Sequence, residues 1–128
     1  MSTKPLRVAL VDDQIAFLDH GIELLSAHSG FNIVGTALDG QEALESIPAL
    51  EPDVAVIDVA MPELNGFATA LRLIRNLPDL KVVMVSEVED QNYITLAEDV
   101  GALAFVPKQK LSADKLYKII EASDTEET

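Results

Sequence analysis

The stretch Leu6-Arg7-Val8-Ala9-Leu10-Val11-Asp12-Asp13, set beside Val54-Ala55-Val56-Ile57-Asp58, decides how this chain folds. Each is a short apolar run that ends on acid. A run of this kind fits a strand buried on both faces of a parallel sheet. If the two strands are parallel neighbours, Asp12, Asp13 and Asp58 meet on one edge of one sheet. Two unit charges about 5 Å apart repel by roughly 3 kcal/mol at an effective dielectric of about 20. Such a cluster calls for a cation. An acidic nest that can hold a hard metal and offers a carboxylate nucleophile points to phosphoryl transfer.

Outward from these runs, strand-like and helix-like segments alternate. The candidate strands are Leu6–Val11, Phe31–Ala37, Val54–Ile57, Lys81–Val85 and Leu103–Val106. Between and after them lie apolar stripes at helical period. They are Phe17, Leu18, Gly21, Ile22 and Leu25; Ala43, Leu44 and Ile47; Phe67, Leu71 and Ile74; Tyr93, Ala97 and Val100; and Leu116, Ile119 and Ile120. Asp39-Gly40, Asn65-Gly66 and Gly101 punctuate the pattern, and Pro48, Pro52 and Pro78 are expected just outside helices. Repeated βα units predict a parallel sheet with helices on both faces and right-handed crossovers. The expected architecture is a flavodoxin-like (βα)5 three-layer sandwich. Its strand order, 2-1-3-4-5, is taken over from the common doubly wound arrangement. Ligands bind such folds at the carboxyl ends of the strands, at the switch point between the first and third. That is where the three aspartates would lie. Residues 1–122 are expected to form the domain, and 123–128 an acidic tail that frays or serves as a linker stub.

Composition narrows the function. The 128 residues suit one domain, and 48% are apolar, enough for an ordinary core. No cysteine is present, which removes disulfides, thiolate metal sites and a cysteine nucleophile. The net charge of −13 argues against direct binding of nucleic acid by this chain. No apolar stretch approaches the ~20 residues that span a bilayer. The opening Met1-Ser2-Thr3-Lys4-Pro5 leads into a run too short and too soon acidic for a signal peptide, so a cytoplasmic location is expected.

Taken singly, the polar residues at the strand ends are ordinary. One aspartate after a strand usually starts a turn. Ser86, after Val82-Val83-Met84-Val85, would be a cap, and Lys108, after Phe105-Val106-Pro107, a solvated lysine. Their joint placement at the ends of the first, third, fourth and fifth strands is the informative fact.

On these motifs the chain resembles the receiver domain of two-component response regulators. The resemblance runs from Leu6 to Ile120. It rests on Asp12-Asp13, on Asp58 with Met61-Pro62 and Gly66, on Ser86, and on Gly101-Ala102, Phe105 and Lys108. It implies that Asp58 is the phosphoacceptor. It implies Mg²⁺ held directly by Asp13 and Asp58 and by the main-chain carbonyl of Ala60, with Asp12 acting mainly through water. Lys108 and Ser86 would each meet a phosphoryl oxygen, and Ser86 and Phe105 would form the switch. Implied partners are a histidine kinase or phosphotransfer protein, an output protein or effector domain, and a second copy in a phosphorylation-dependent homodimer. Such a protein is not a conventional enzyme: it catalyses its own phosphorylation and slow autodephosphorylation.

Three positions depart from the commonest pattern. Gln109 follows Lys108 where many receivers have proline, so a cis bond there is not expected. Phe105 replaces tyrosine, and Ser86 replaces threonine. Gly21-Ile22-Glu23-Leu24-Leu25, Ile33-Val34-Gly35 and Phe105-Val106-Pro107-Lys108 look most like receivers that precede a LuxR-type helix-turn-helix domain. No such domain follows, so either a stand-alone regulator or the receiver of a longer one is expected. Ala60 and Glu87 flank the phosphorylation site and are expected to tune the phosphoryl lifetime.

Other readings remain open at this point. A Mg²⁺ phosphohydrolase with an aspartyl nucleophile would need an acid two residues later, where Ala60 stands. A flavin module would need a phosphate loop after the first strand, where Asp12-Asp13-Gln14 would repel phosphate. A degenerate receiver would lack some of the site residues, and none is missing. His20 and His28, in the first predicted helix, read as surface residues, and Met61 and Met84 as packing. Phe17 and Tyr93 are either core or a partner-binding face.

Overall fold

The computed structural model describes residues 4–61 and 64–126. Its elements are β1 (Leu6–Val11), α1 (Ile15–Ser26), β2 (Phe31–Ala37), α2 (Gly40–Leu50), β3 (Val54–Asp58), α3 (Gly66–Asn76), β4 (Lys81–Ser86), α4 (Gln91–Val100), β5 (Ala104–Pro107) and α5 (Ala113–Glu126). A 3₁₀ turn, Lys108–Lys110, follows β5. The strands form one parallel sheet in the order β2-β1-β3-β4-β5, as expected for a flavodoxin-like fold.

Alternation along the inner strands sorts the core into two layers. Val8 and Leu10 of β1, Val54 and Val56 of β3, and Val83 and Val85 of β4 pack with Leu18 and Leu25 of α1 and Leu116 and Ile120 of α5. Ala9 and Val11, Ala55 and Ile57, and Val82 and Met84 turn to the other face, against α2, α3 and α4. Both faces of β1, β3 and β4 are thus covered, which is why these runs are apolar at almost every position. Local signals work as capping devices. Asp39 accepts the Glu42 N–H at 2.8 Å and Asn65 the Ala68 N–H at 2.9 Å. Gly101 ends α4 at φ 93°, where a side chain would be strained.

Some expectations need correction. Pro48 lies inside α2, not outside it. It sits in the last turn, where one intrahelical bond is forfeited shortly before Glu51 closes the helix in a left-handed conformation. His28 lies beyond α1, in the turn to β2, and is half-buried, unlike the exposed His20. Its Nδ1 accepts the Gly30 N–H at 2.9 Å, and its ring packs on Phe31 and Tyr117. The deepest face of α3 is Gly66, Thr69, Ala70 and Leu73, because small residues allow close approach to the sheet; Phe67, Leu71 and Ile74 flank it, half-buried. β5 starts at Ala104, one residue later than expected, although the exposed Leu103 already donates its N–H to the Val82 carbonyl at 2.8 Å. The boundary drawn at residue 122 falls within α5, which continues to Glu126. Ser123 donates to the Ile120 carbonyl at 2.7 Å, and Asp124 pairs with Lys81 at 2.8 Å. Residues 127–128 of the expected tail, and Pro62 and Glu63 of the Asp58 motif, lie outside the described residues.

Candidate functional site

Register brings the strand-end residues together. Val11 of β1 lies opposite Ile57 of β3, so Asp12 and Asp58 follow on neighbouring strands. Asp58 lies opposite Val85 of β4, and Ser86 opposite Pro107 of β5. Ser86 and Lys108 therefore emerge one step further along the same edge. Asp12, Asp13 and Asp58 each offer a carboxylate oxygen within 4.8 Å of the others. Asp12 and Asp58 are buried, at 1% and 4% exposure, while Asp13 is exposed. Asp13, Asp58, Ala60, Ser86, Glu87 and Lys108 line a cavity of about 210 Å³, together with Gln14, Val88 and Tyr93.

Lys108 is the cation facing this acid. Its Nζ lies 2.7 Å from Asp12 Oδ2 and 3.6 Å from Asp58 Oδ1. It also donates to Gln14 Oε1 at 3.2 Å and sits 4.4 Å from the centre of the Phe17 ring. Asp12 Oδ1 accepts the Gln14 N–H at 2.8 Å. Asp12 Oδ2 has only the ion pair with Lys108 and no directed hydrogen bond among the described residues. A buried carboxylate oxygen left in this condition suits a hydrated hard cation, whose bound water supplies the missing donor hydrogen. The residues present therefore fit a divalent metal.

One lysine does not neutralise three carboxylates. Burial, above all, and then the charge of Asp12 push the Asp58 carboxyl up from 3.8 to about 6. Lys108 opposes this, Asp13 adds to it, and the Ala60 N–H bonded to the carboxylate opposes it. Folded Asp58 thus holds its proton more tightly than the unfolded chain does. In metal-free protein its contribution is fully favourable below pH 3.8 and is lost as pH rises to about 6. That loss is on the order of 3 kcal/mol. In EDTA at about pH 7, Asp58→Asn should therefore be more stable than wild type by about 2–3 kcal/mol, a gain that fades below about pH 4. Denaturant melts at the two pH values measure it. A gain that is the same at both would have another cause.

Of the pair expected to form the switch, Ser86 stands on the same edge, while Phe105 lies further back in β5, opposite Met84. Ser86 is buried, and its Oγ accepts the Val88 N–H at 3.1 Å. Phe105 is half-buried in a row of rings, 5.9 Å from Tyr93, which lies 5.9 Å from Phe67. The bond after Lys108 is trans, as is every described peptide bond. Met61 and Met84 are buried, as their reading as packing requires. Phe17 packs half-buried against the α1/α5 core layer, and Tyr93 against the other layer. The sequence hid the contact of Gln14 and Phe17 with Lys108; their only local signal is their nearness to the acidic pair.

The family model for the response regulator receiver domain matches residues 8–121. A protein-glutamate methylesterase/protein-glutamine glutaminase of Geobacillus kaustophilus is 43% identical over 91% of this chain, which covers 34% of that protein. The transcriptional regulatory protein DegU of Brevibacillus brevis is 29% identical over 91% of this chain and 49% of its own length. The chain thus spans between a third and a half of these curated relatives. Among solved structures, the receiver domain of NarL from Mycobacterium tuberculosis superposes with a TM-score of 0.83 at 29% identity, covering 94% of this chain and 98% of that one. Two LuxR-family response regulators, 22% and 23% identical, share the fold. Motif, fold and site agree with the match across residues 8–121: the chain belongs to the response regulator receiver domain family.

Proposed function

We propose that this receiver takes a phosphoryl group from the phosphohistidine of a histidine kinase or phosphotransfer protein onto Asp58. The observation that carries the reading is the convergence of Asp58 with Asp12 and Asp13, beside a small cavity that Asp58 and Asp13 share with Ser86 and Lys108. Asp58 attacks phosphorus in line, the P–N bond of the donor breaks, and the imidazole leaves. Asp13, Asp58 and the main-chain carbonyl of Ala60 would hold Mg²⁺, with Asp12 acting through water; the ion supplies charge neutralisation for the phosphoryl oxygens. Lys108 meets one phosphoryl oxygen as a point charge, and the Ser86 hydroxyl donates to another. Catalysis is positioning and electrostatics, since the protein changes no bond but that to Asp58. Water later returns the site to its resting state, at a rate that Ala60 and Glu87 tune from either side of the cavity.

Small-donor labelling tests the reading. Wild type incubated with acetyl phosphate should gain the mass of one phosphoryl group with Mg²⁺ and none in EDTA. Labelling that ignores the metal would remove the proposal. The output is a protein surface, presented to an effector domain, a partner protein or a second copy. The location is cytoplasmic, consistent with the kinase partner; no helix among the described residues is long and apolar enough to cross a membrane.

The same proposal assigns the switch to Ser86 and Phe105. A dianionic phosphate offers strong acceptors, so the Ser86 hydroxyl leaves the Val88 N–H for it. The start of α4 then repacks, and Phe105 turns further inward past Tyr93. Two states a few kcal/mol apart suffice for the phosphate to shift their populations. Ser86→Ala should keep Asp58 labelled, cost about 1 kcal/mol of stability, and blunt the response of residues 88–106. NMR shifts with and without beryllofluoride read that response. A variant that responds as fully as wild type would route the coupling elsewhere.

A further inference from the structure

We infer that Gln14 and Phe17, at the start of α1, are positioning residues that form a cradle for the Lys108 ammonium; this deepens, and rests on, the reading of Asp58 as phosphoacceptor. Lys108 leaves the end of β5 on a flexible four-carbon stem, yet its side chain is only 8% exposed. Fixing such a stem costs rotamer freedom, so something must hold it. Two of its contacts, Asp12 and Asp58, belong to the acidic nest itself. The other two come from α1: the Gln14 side-chain carbonyl at 3.2 Å and the face of Phe17 at 4.4 Å.

The chemistry of these partners matters. A carboxylate here would hold the lysine but cancel its charge. An amide dipole and an aromatic face attract an ammonium electrostatically without adding to the negative charge that Asp12 and Asp58 already set against it. The ring lies well within the ~6 Å over which cation–π attraction is felt, and the ammonium is largely desolvated, where that attraction is strongest. Gln14 donates its own main-chain N–H to Asp12, so one residue fixes both members of the Asp12–Lys108 pair. Gln14 has no capping role for its side chain, which leaves the lysine as its described partner. Phe17 also packs against the core beside α1, so its ring serves packing and charge together.

Two readouts separate positioning from packing. The first is the ring-current shift of the Lys108 Cε protons in metal-free protein. The second is the rate of phosphorylation by acetyl phosphate, split into maximal rate and half-saturating donor. Phe17→Leu keeps an apolar side chain at the site but removes the aromatic face; Phe17→Tyr keeps the face. The leucine variant should lose the ring-current shift and slow the maximal rate by about threefold to tenfold. Its half-saturating donor concentration should move by less than about twofold, because the lysine acts mainly in the transition state. Tyrosine should restore both readouts. Gln14→Ala, at an exposed position, leaves folding untouched and should slow the maximal rate by about twofold to threefold. If Phe17→Leu melts below the assay temperature, Gln14→Ala and Phe17→Tyr carry the test. Lys108 shifts indifferent to residue 17, or maximal rates unchanged in both Phe17→Leu and Gln14→Ala, overturn the cradle alone. A wild-type protein that takes up no phosphoryl group overturns the Asp58 reading beneath it, while the shift still decides the ring contact.

Discussion

Asp58→Asn should reduce phosphoryl uptake from acetyl phosphate to background while making the metal-free fold more stable. The two effects have one cause. The Asp58 carboxylate is held in a buried site beside two other carboxylates, which favours its neutral form. An isosteric amide meets that demand at no electrostatic cost. It also lacks the anionic oxygen that attacks phosphorus. Asp12, Asp13 and Ser86 lie on the same edge, so label could in principle arise there. The label's chemistry tells them apart: an aspartyl phosphate is a reactive acyl phosphate, cleaved by hydroxylamine, while a serine phosphate is not. Wild type should lose its label to hydroxylamine, and Asp58→Asn should have none to lose. Equal labelling of the two proteins would move the acceptor to another residue.

Gly66→Ala should destabilise the protein by about 3 kcal/mol or more, the largest loss expected from a single added methyl group. Gly66 opens α3, and its N–H donates to the Val59 carbonyl at 2.9 Å. A Cβ placed there would lie 1.9 Å from the Asp58 carbonyl oxygen, 2.8 Å from its carbon and 2.9 Å from the Val59 Cα. All three are backbone, and none can rotate away. Relief requires α3 to move off the end of β3, which also displaces Asp58 from Lys108. Gly101→Ala is the natural control. Its φ of 93° is strained for a side chain, but the new Cβ would meet only Ile74 Cδ1 at 3.6 Å. Its cost should be about 1–2 kcal/mol, with phosphorylation nearly intact. Denaturant melts rank the two variants, and acetyl phosphate labelling reads the site. A Gly66→Ala protein as stable as Gly101→Ala would mean that the helix start yields more easily than its contacts imply.

The sequence by itself determined what depends on neighbours along the chain. Apolar runs marked the strands, because β1, β3 and β4 are buried on both faces and admit almost nothing else. Asp39, Asn65 and Gly101 marked helix ends, because a cap contacts groups only a few residues away. The aspartates, Ser86 and Lys108 were legible as strand-end residues, and parallel strands must bring such ends to one edge. Local rules gave way at two places: Pro48 sits inside α2, and His28 folds back over β2 and α5. Only the tertiary structure decided distances across the chain. Gln14 and Lys108 are 94 residues apart in sequence, and nothing between them records that their side chains meet. The same holds for the tighter pairing of Lys108 with Asp12 than with Asp58, 2.7 Å against 3.6 Å, and for the raised Asp58 carboxyl. Gly66 reads in sequence as a turn glycine, yet its role is to leave room for the Asp58 carbonyl. Charge, burial and space at this site are sums over strands from the whole chain, and they take their values only once the sheet order and register are set.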